Sequence, residues 1–186
     1  MALTPDKMLD RMVRVFTDRA VFDGRLRLTG LGRTLDELNS TSRTFLLLET
    51  PMLADDASGA TIAEQIAVNK ESILFALEIE ARTAVPSDLR TPSEKNRIAQ
   101  SVLQLTAAAY TIEGNVHVFQ AGNPLARIYL PGHPFIALTA ATIAAPGFEL
   151  STPFLAVNRA HVFSALESCR LDAVMVEAPP EVSPRT

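Results

Sequence analysis

The sequence of 186 residues contains one cysteine, no tryptophan and two tyrosines. A single cysteine cannot form a disulfide within the chain, which excludes a small secreted fold held together by disulfides. The scarcity of tryptophan and tyrosine leaves little for an aromatic platform that stacks on single-stranded nucleic acid. Acidic residues outnumber basic ones by 21 to 17, which argues against a polybasic surface for nucleic acid or lipid.

Long hydrophobic runs and targeting signals are also missing. The N-terminal segment contains Asp6 and Asp10 and lacks the apolar region of a signal peptide. The most apolar segment covers 14 residues, 135–148, and is interrupted by Pro146. A membrane-spanning helix needs about 20 apolar residues. We therefore expect a cytoplasmic protein that does not insert into a membrane. Hydrophobic residues make up 47% of the chain, enough for a packed core.

The chain aligns with itself when it is shifted by 90 residues. Residues 22–28 (FDGRLRL) then fall on residues 112–118 (IEGNVHV), and Phe45 and the strand-like run after it fall on Phe135 and its run. After one deletion the shift becomes 89, and residues 67–70 (AVNK) fall on AVNR. Matching blocks in the same order indicate a tandem repeat.

The repeat predicts where the units begin and end. We predict a first β-rich repeat over 1–83, a linker over 84–90, a second repeat over 91–177 and a flexible tail over 178–186. Both repeats begin with a Thr-Pro pair that is typical of a helix N-terminus. These pairs predict short helices that end near Met12 and Gln100.

Strand patterns dominate each repeat. Apolar residues alternate with polar ones around Arg14 and through residues 22–28, as in strands with one buried face. Gly24 and Gly114 lie within such runs, and they predict either a tight hairpin turn or a bulge. Asn69 and Asn158, in the two AVN motifs, predict a structural role in a left-handed turn or in hydrogen bonds to the local backbone.

These elements predict a mainly β (α+β) chain. Small sheets usually close or curl to hide their edges, so we expect two small β-barrel-like units, each preceded by a short helix. We expect the units to be related by pseudo-twofold symmetry, with a two-layer α+β sandwich as the alternative. The paired hairpin, FLLL and AVN-basic patterns resemble the Sm-like and SH3-like small barrels of duplicated bacterial domains without an assigned function. This resemblance implies the fold and carries no catalytic residue.

Residues able to carry chemistry are scattered. His117, His133, His161 and Cys169 occur without the spacing of a metal site, and no nucleophile elbow precedes Cys169. We therefore predict no catalytic residue, metal site or cofactor.

Arginines are concentrated in the first repeat, with six against two aspartates between positions 11 and 33. Arg25 and Arg27 alternate with apolar residues and should share one face of a strand. Such a face could bind a phosphate, an acidic partner or RNA, or could simply be solvated. The candidate anion-binding residues are Arg14, Arg25, Arg27 and Arg33.

The preferred function is that of a non-enzymatic scaffold, adaptor or assembly subunit that acts through protein contacts or self-association. The first alternative is an anion- or RNA-binding protein that uses the arginines. The second is a ligand-binding protein or enzyme with a site between the repeats.

Overall fold

The computed structural model describes residues 9–28, 32–79, 98–119, 122–129 and 131–168. The first half contains β1 (Leu9–Thr17), β2 (Val21–Leu28), α1 (Thr34–Asn39), β3 (Phe45–Leu53), β4 (Gln65–Asn69) and β5 (Ile73–Glu78). The second half contains β6 (Ile98–Ala107), β7 (Tyr110–Phe119), α2 (Ala126–Tyr129), β8 (Phe135–Ala145), β9 (Phe148–Asn158) and β10 (Val162–Ser168). Short 3-10 turns at Lys70–Ser72 and Arg159–His161 separate the last two strands of each half. The prediction of a mainly β fold is confirmed.

The ten strands form one antiparallel sheet in the order β10-β6-β7-β8-β9-β5-β1-β2-β3-β4. The sheet is not closed, so the prediction of two separate barrels is not confirmed. Closing the first five strands would require β5 to pair with β4. Instead β5 pairs with β9 of the other half, which leaves β4 and β10 at the two ends of the sheet.

The junction between the halves joins strands that do not correspond to each other. The shift of 89 residues places β5 on β10 and places β4 on the second part of β9. A pseudo-twofold axis through the junction would pair corresponding elements. The observed pairing of β5 with β9 is of the head-to-tail kind, so the expected pseudo-twofold docking is not found at this junction.

Strands replace part of the predicted helices. Residues 9–12 belong to β1, where Leu9 pairs with Leu28, and residues 98–100 belong to β6. The predicted helix ends at Met12 and Gln100 are therefore wrong, because the backbone there is already paired in the sheet. The helix starts, the linker at 84–90 and the tail at 178–186 lie outside the described residues.

Each half contains a bulge at the same relative position. The register between β2 and β3 shifts after Asp23, with one extra residue on β3, where Thr50 has a φ of 46°. Ninety residues later, the register between β7 and β8 shifts in the same way, and Ala140 has a φ of 47°. Residues other than glycine rarely adopt this left-handed backbone conformation, which costs about 1–2 kcal/mol per residue.

Gly24 and Gly114 lie inside β2 and β7, opposite the two bulges, and not in hairpin turns. A Cβ added at Gly24 would lie 3.0 Å from the Cβ of Leu48, and one added at Gly114 would lie 3.0 Å from the Cβ of Leu138. The bulged strand therefore approaches its neighbour so closely that a side chain would force it away.

Asn69 and Asn158 begin the two 3-10 turns. The Oδ1 atom of Asn69 accepts a hydrogen bond from Glu71 N at 3.0 Å, and that of Asn158 accepts one from Ala160 N at 3.1 Å. Their φ angles are −62° and −76°. Both side chains therefore bond to the local backbone, and neither residue adopts a left-handed conformation.

The basic residue after each asparagine donates to backbone carbonyl groups at the end of the helix of its half and just after it. Lys70 Nζ donates to the carbonyl oxygens of Glu37 and Ser40, and Arg159 Nη2 donates to Gly132 O at 2.9 Å. Lys70 is buried, and loss of solvation lowers the pKa of its ammonium group, although the nearby Glu37 carboxylate opposes this effect.

Apolar side chains form two clusters, and each contains residues of both halves. The cluster around β1–β4 also includes Phe135 and Ala156 from the second half. The cluster around β6–β9 also includes Phe16 and Phe75 from the first half. The two halves therefore share their cores at the junction.

Candidate functional site

The predicted arginine face also contains carboxylates. Arg14 forms a bidentate ion pair with Asp23, with Nε to Oδ1 and Nη2 to Oδ2 both at 2.7 Å. Hydrogen bonding to Asp23 raises the pKa of Arg14 above its ordinary value. This geometry is strong in proteins because both N–H groups align with both oxygens.

Arg25 and Arg27 are exposed on the same face of β2, as the alternation predicted. Arg25 Nη1 lies 3.8 Å from Asp10, and Arg27 Nη2 lies 2.9 Å from Glu49. Arg33 is exposed at the start of α1, where its backbone N–H donates to Asp36 Oδ2 at 3.2 Å. Three of the four candidate anion-binding arginines thus already have a carboxylate within reach.

The histidines do not converge. His117 Nε2 lies 3.1 Å from Thr139 Oγ1, His161 Nε2 lies 2.6 Å from Glu71 O, and His133 is exposed in a loop. Among the described residues, no group of three or more histidine, cysteine or acidic side chains is placed to hold a metal ion. Cys169 lies outside the described part of the chain.

The junction between the halves, here called the seam, is the pairing of residues 75–77 of β5 with residues 155–157 of β9. Side chains add contacts across it. Asn39 exchanges two hydrogen bonds with the backbone of Phe135, and Asn158 Nδ2 donates to Lys70 O at 3.2 Å and to Ile73 O at 2.9 Å. The seam therefore combines strand pairing with hydrogen bonds from two asparagine side chains, partly buried at Asn39 and buried at Asn158.

Aromatic rings cover one side of the seam. The rings of Phe16 and Phe75 stack with their centroids 4.4 Å apart, and the Tyr110 ring meets the edge of Phe75 at 5.0 Å. Phe148 packs edge-on to Phe16 and Tyr110. Such ring pairs add about 0.5–1.5 kcal/mol each beyond the area they bury.

The outer strand β10 exposes apolar residues whose counterparts are buried at the seam. Phe163 is 89% exposed, whereas Leu74, 89 positions earlier, is 4% exposed. Leu166 is 60% exposed, whereas its counterpart Leu77 is 5% exposed. We call the outer side of residues 162–168 the β10 edge.

The other end of the sheet shows the same relationship. Phe45 at the start of β3 is 50% exposed, whereas its counterpart Phe135 is 2% exposed because the first half covers it. In the outer strand β4, Ala67 is exposed, whereas its counterpart Ala156 is buried. We call the outer side of residues 65–69, with Phe45, the β4 edge.

Sequence reasoning missed both edges. Residues 76–78 and 165–167 share the sequence ALE, 89 positions apart. This identity is the signal that could have revealed the β10 edge, because the first segment is in a buried strand and the second is in an outer strand. Using that signal required the strand order, which the two repeats considered separately do not specify.

No helix within the described residues is both long and apolar enough to cross a membrane. No family model, curated protein or solved structure matches the chain. The resemblance to Sm-like and SH3-like domains therefore stays a prediction, and the two sheet edges are the candidate site on which a function can be argued.

Proposed function

We propose that this chain is a non-enzymatic assembly subunit that binds protein strands at the two edges of its sheet. The observation that carries the proposal is the exposure of Phe163, Leu166 and Phe45 at these edges, while the residues at corresponding positions are buried at the seam. Large exposed apolar side chains next to each other commonly mark an interaction surface.

Internal duplication of a five-strand unit underlies the proposal. Four features recur at the same positions of both halves: the order of strand pairing, the left-handed bulge residues, the glycines opposite them, and the asparagine-capped 3-10 turns. Thr50 and Ala140 lie 90 residues apart, as do Gly24 and Gly114. Duplication would explain why β5 and β9 are paired inside the chain, while the corresponding strands β10 and β4 are left at the two ends of the sheet.

Strand addition is the binding mode that these edges favour. An outer strand offers a row of backbone N–H and C=O groups to an added strand, and flanking pockets or apolar side chains supply specificity. Charged or proline-rich edges would discourage such pairing. Instead, β4 contains no charged residue, and Glu167 is the single charged residue of β10.

The arginine face supports the alternative function less well. Arg14, Arg25 and Arg27 are matched by Asp23, Asp10 and Glu49. Because three of the four candidate arginines are matched in this way, the face provides little net field to attract a phosphate backbone, which needs unmatched positive charge.

Site-specific photocrosslinking tests the proposal in the cells from which the chain comes. Phe163→p-benzoylphenylalanine and Ala67→p-benzoylphenylalanine place the crosslinker on the two edges, and Thr111→p-benzoylphenylalanine places it on an exposed position of the interior strand β7. We expect discrete protein adducts from both edge positions and none from the control position.

A second change makes the test specific. Adding Leu166→Lys should abolish the adduct at position 163, because a buried ammonium group without a partner opposes strand docking. Adducts that are equal at all three positions, or absent from both edges, would overturn the proposed function.

A further inference from the structure

We propose that the partner at both edges is a second copy of this chain, added head to tail so that β10 of one copy pairs with β4 of the next. This inference rests on the proposed function and names its partner. The joint between copies would repeat the seam, because β10 corresponds to β5 and β4 corresponds to β9.

The seam specifies the register of the new joint. Within the chain, Ala76 pairs with Ala156 and Leu77 pairs with Leu155. Shifted by 89 residues, these pairs become Ala165 with Ala67 and Leu166 with Ile66 of the next copy. An alanine pair lies in the middle of the seam and of the proposed joint, so the two strands can approach each other equally closely in both.

Side-chain packing at the new joint follows from the same correspondence. Phe135 inserts into the apolar cluster of the first half across the seam. Phe45, its counterpart, would insert into the cluster of the second half of the neighbouring copy. In return, Phe163 and Leu166 of that copy, the counterparts of Leu74 and Leu77, would pack on the first half of the copy that carries Phe45. The three exposed apolar residues of the two edges would thus be buried by one event.

A polar contact is also provided. Asn158 Nδ2 donates across the seam to Lys70 O and Ile73 O. Asn69, its counterpart on the β4 edge, begins a 3-10 turn in the same way. In the proposed joint, Asn69 would donate to the carbonyl oxygens of Arg159 and Val162 of the neighbouring copy.

The joint between copies would be weaker than the seam. Its aromatic cluster is missing, because Ser164 replaces Phe75 and Thr106 replaces Phe16. The hydrogen bonds that Asn39 makes to Phe135 at the seam would also be missing between copies, because Tyr129 stands at the position that corresponds to Asn39. We therefore expect assembly that reverses on dilution. Because the two joining surfaces differ, repeated addition gives a ring if the rotation closes and a filament if it does not.

Disulfide trapping between full-length chains tests the register and the polarity. In a Cys169→Ser background, one variant carries Ala67→Cys and another carries Ala165→Cys. Paired positions of an antiparallel ladder have Cα atoms about 4.5–5.5 Å apart, within the range that a disulfide spans. We expect the mixture to form a covalent dimer on oxidation, while each variant alone stays monomeric on a non-reducing gel.

Matched controls test whether crosslinking and association are specific to the two sheet edges. A mixture of Thr111→Cys with Ala165→Cys should not crosslink, because position 111 lies on the interior strand β7. Leu166→Lys should raise the dissociation constant from sedimentation velocity at least tenfold, while Thr111→Lys should leave it unchanged.

The outcomes separate this inference from the proposed function. Covalent dimers from either variant alone would show like-with-like pairing and overturn the head-to-tail arrangement. No crosslink in the Ala67 and Ala165 mixture, together with edge adducts to a different protein in cells, would reject the second copy as partner and leave strand binding intact. No crosslink in either experiment would reject both.

Discussion

Asn39 brackets the backbone of Phe135 across the seam, with Nδ2 donating to Phe135 O at 3.0 Å and Oδ1 accepting from Phe135 N at 2.8 Å. The two residues are 96 positions apart, so the last residue of α1 fixes the start of a strand in the other half. This contact orients the Phe135 ring, which fills the core of the first half.

Asn39→Ala removes both hydrogen bonds and leaves a backbone N–H and C=O of Phe135 without these partners. We expect the free energy of unfolding, measured by urea denaturation, to fall by about 2 kcal/mol, since unsatisfied polar groups are costly. Ser42→Ala, at an exposed position after the same helix, should change it by less than about 0.5 kcal/mol. Equal losses in both variants would contradict the bracketing role.

Gly24→Ala places a Cβ within 3.0 Å of the Leu48 Cβ, and Gly114→Ala places one within 3.0 Å of the Leu138 Cβ. Because neither neighbour is the flexible end of a side chain, we expect each variant to lose about 1–3 kcal/mol of stability. Thermal unfolding measures this loss. Gly132→Ala is the matched control, since a Cβ there has nothing within 4 Å, and its melting temperature should stay near that of the natural chain.

Thr50→Gly relieves a left-handed backbone that a β-branched residue rarely adopts. We expect a gain in unfolding free energy of about 1 kcal/mol, because the relief exceeds the added entropy of the unfolded chain. Thr44→Gly, just before β3, should give no gain, since Thr44 is not among the positive-φ residues. A loss of stability in Thr50→Gly would contradict the claim that the bulge is strained.

Lys70→Met removes two hydrogen bonds to carbonyl oxygens and should cost about 2 kcal/mol at neutral pH. Burial lowers the pKa of Lys70 in the folded state, so between that pKa and its ordinary value of 10.5 the unfolded chain binds more protons than the folded one. The contribution of Lys70 to stability therefore increases as the pH rises through this window.

Chemical denaturation of both chains at pH 8 and at pH 10.5 tests the sign. The difference in unfolding free energy between the natural chain and Lys70→Met should be larger at pH 10.5. Comparing the two chains at each pH cancels groups that titrate in both of them. A difference that shrinks with rising pH would contradict a lowered pKa.

Local patterns predicted local structure well. The alternation around Arg25 and Arg27 predicted their shared face, which is present. For Asn69 the sequence predicted either a left-handed turn or hydrogen bonds to the local backbone, and the second of these is present. The Thr-Pro pairs misled the prediction at Met12, because helix-start signals outweighed an alternating pattern whose pairing partner, β2, lies downstream. Capping signals indicate the helix preference of neighbouring residues, whereas strand pairing depends on residues that are far away in the sequence.

The candidate site was beyond sequence reasoning for a similar reason. Arg25 and Arg27 were singled out for their charge, but the matching carboxylates Asp10 and Glu49 come from neighbouring strands. Whether Phe163 lies at an edge or in the interior depends on the order of ten strands. A pattern of buried and exposed residues within one strand does not contain that order.

The four-ring cluster of Phe16, Phe75, Tyr110 and Phe148 occurs at the seam, where the chain itself already tethers the two surfaces. Covalent linkage makes that joint independent of protein concentration, and the rings make it hard to open. In the proposed assembly, the joint between copies would depend on protein concentration whereas the seam would not, so the amount of protein made would set how many copies associate while each chain keeps its two halves joined.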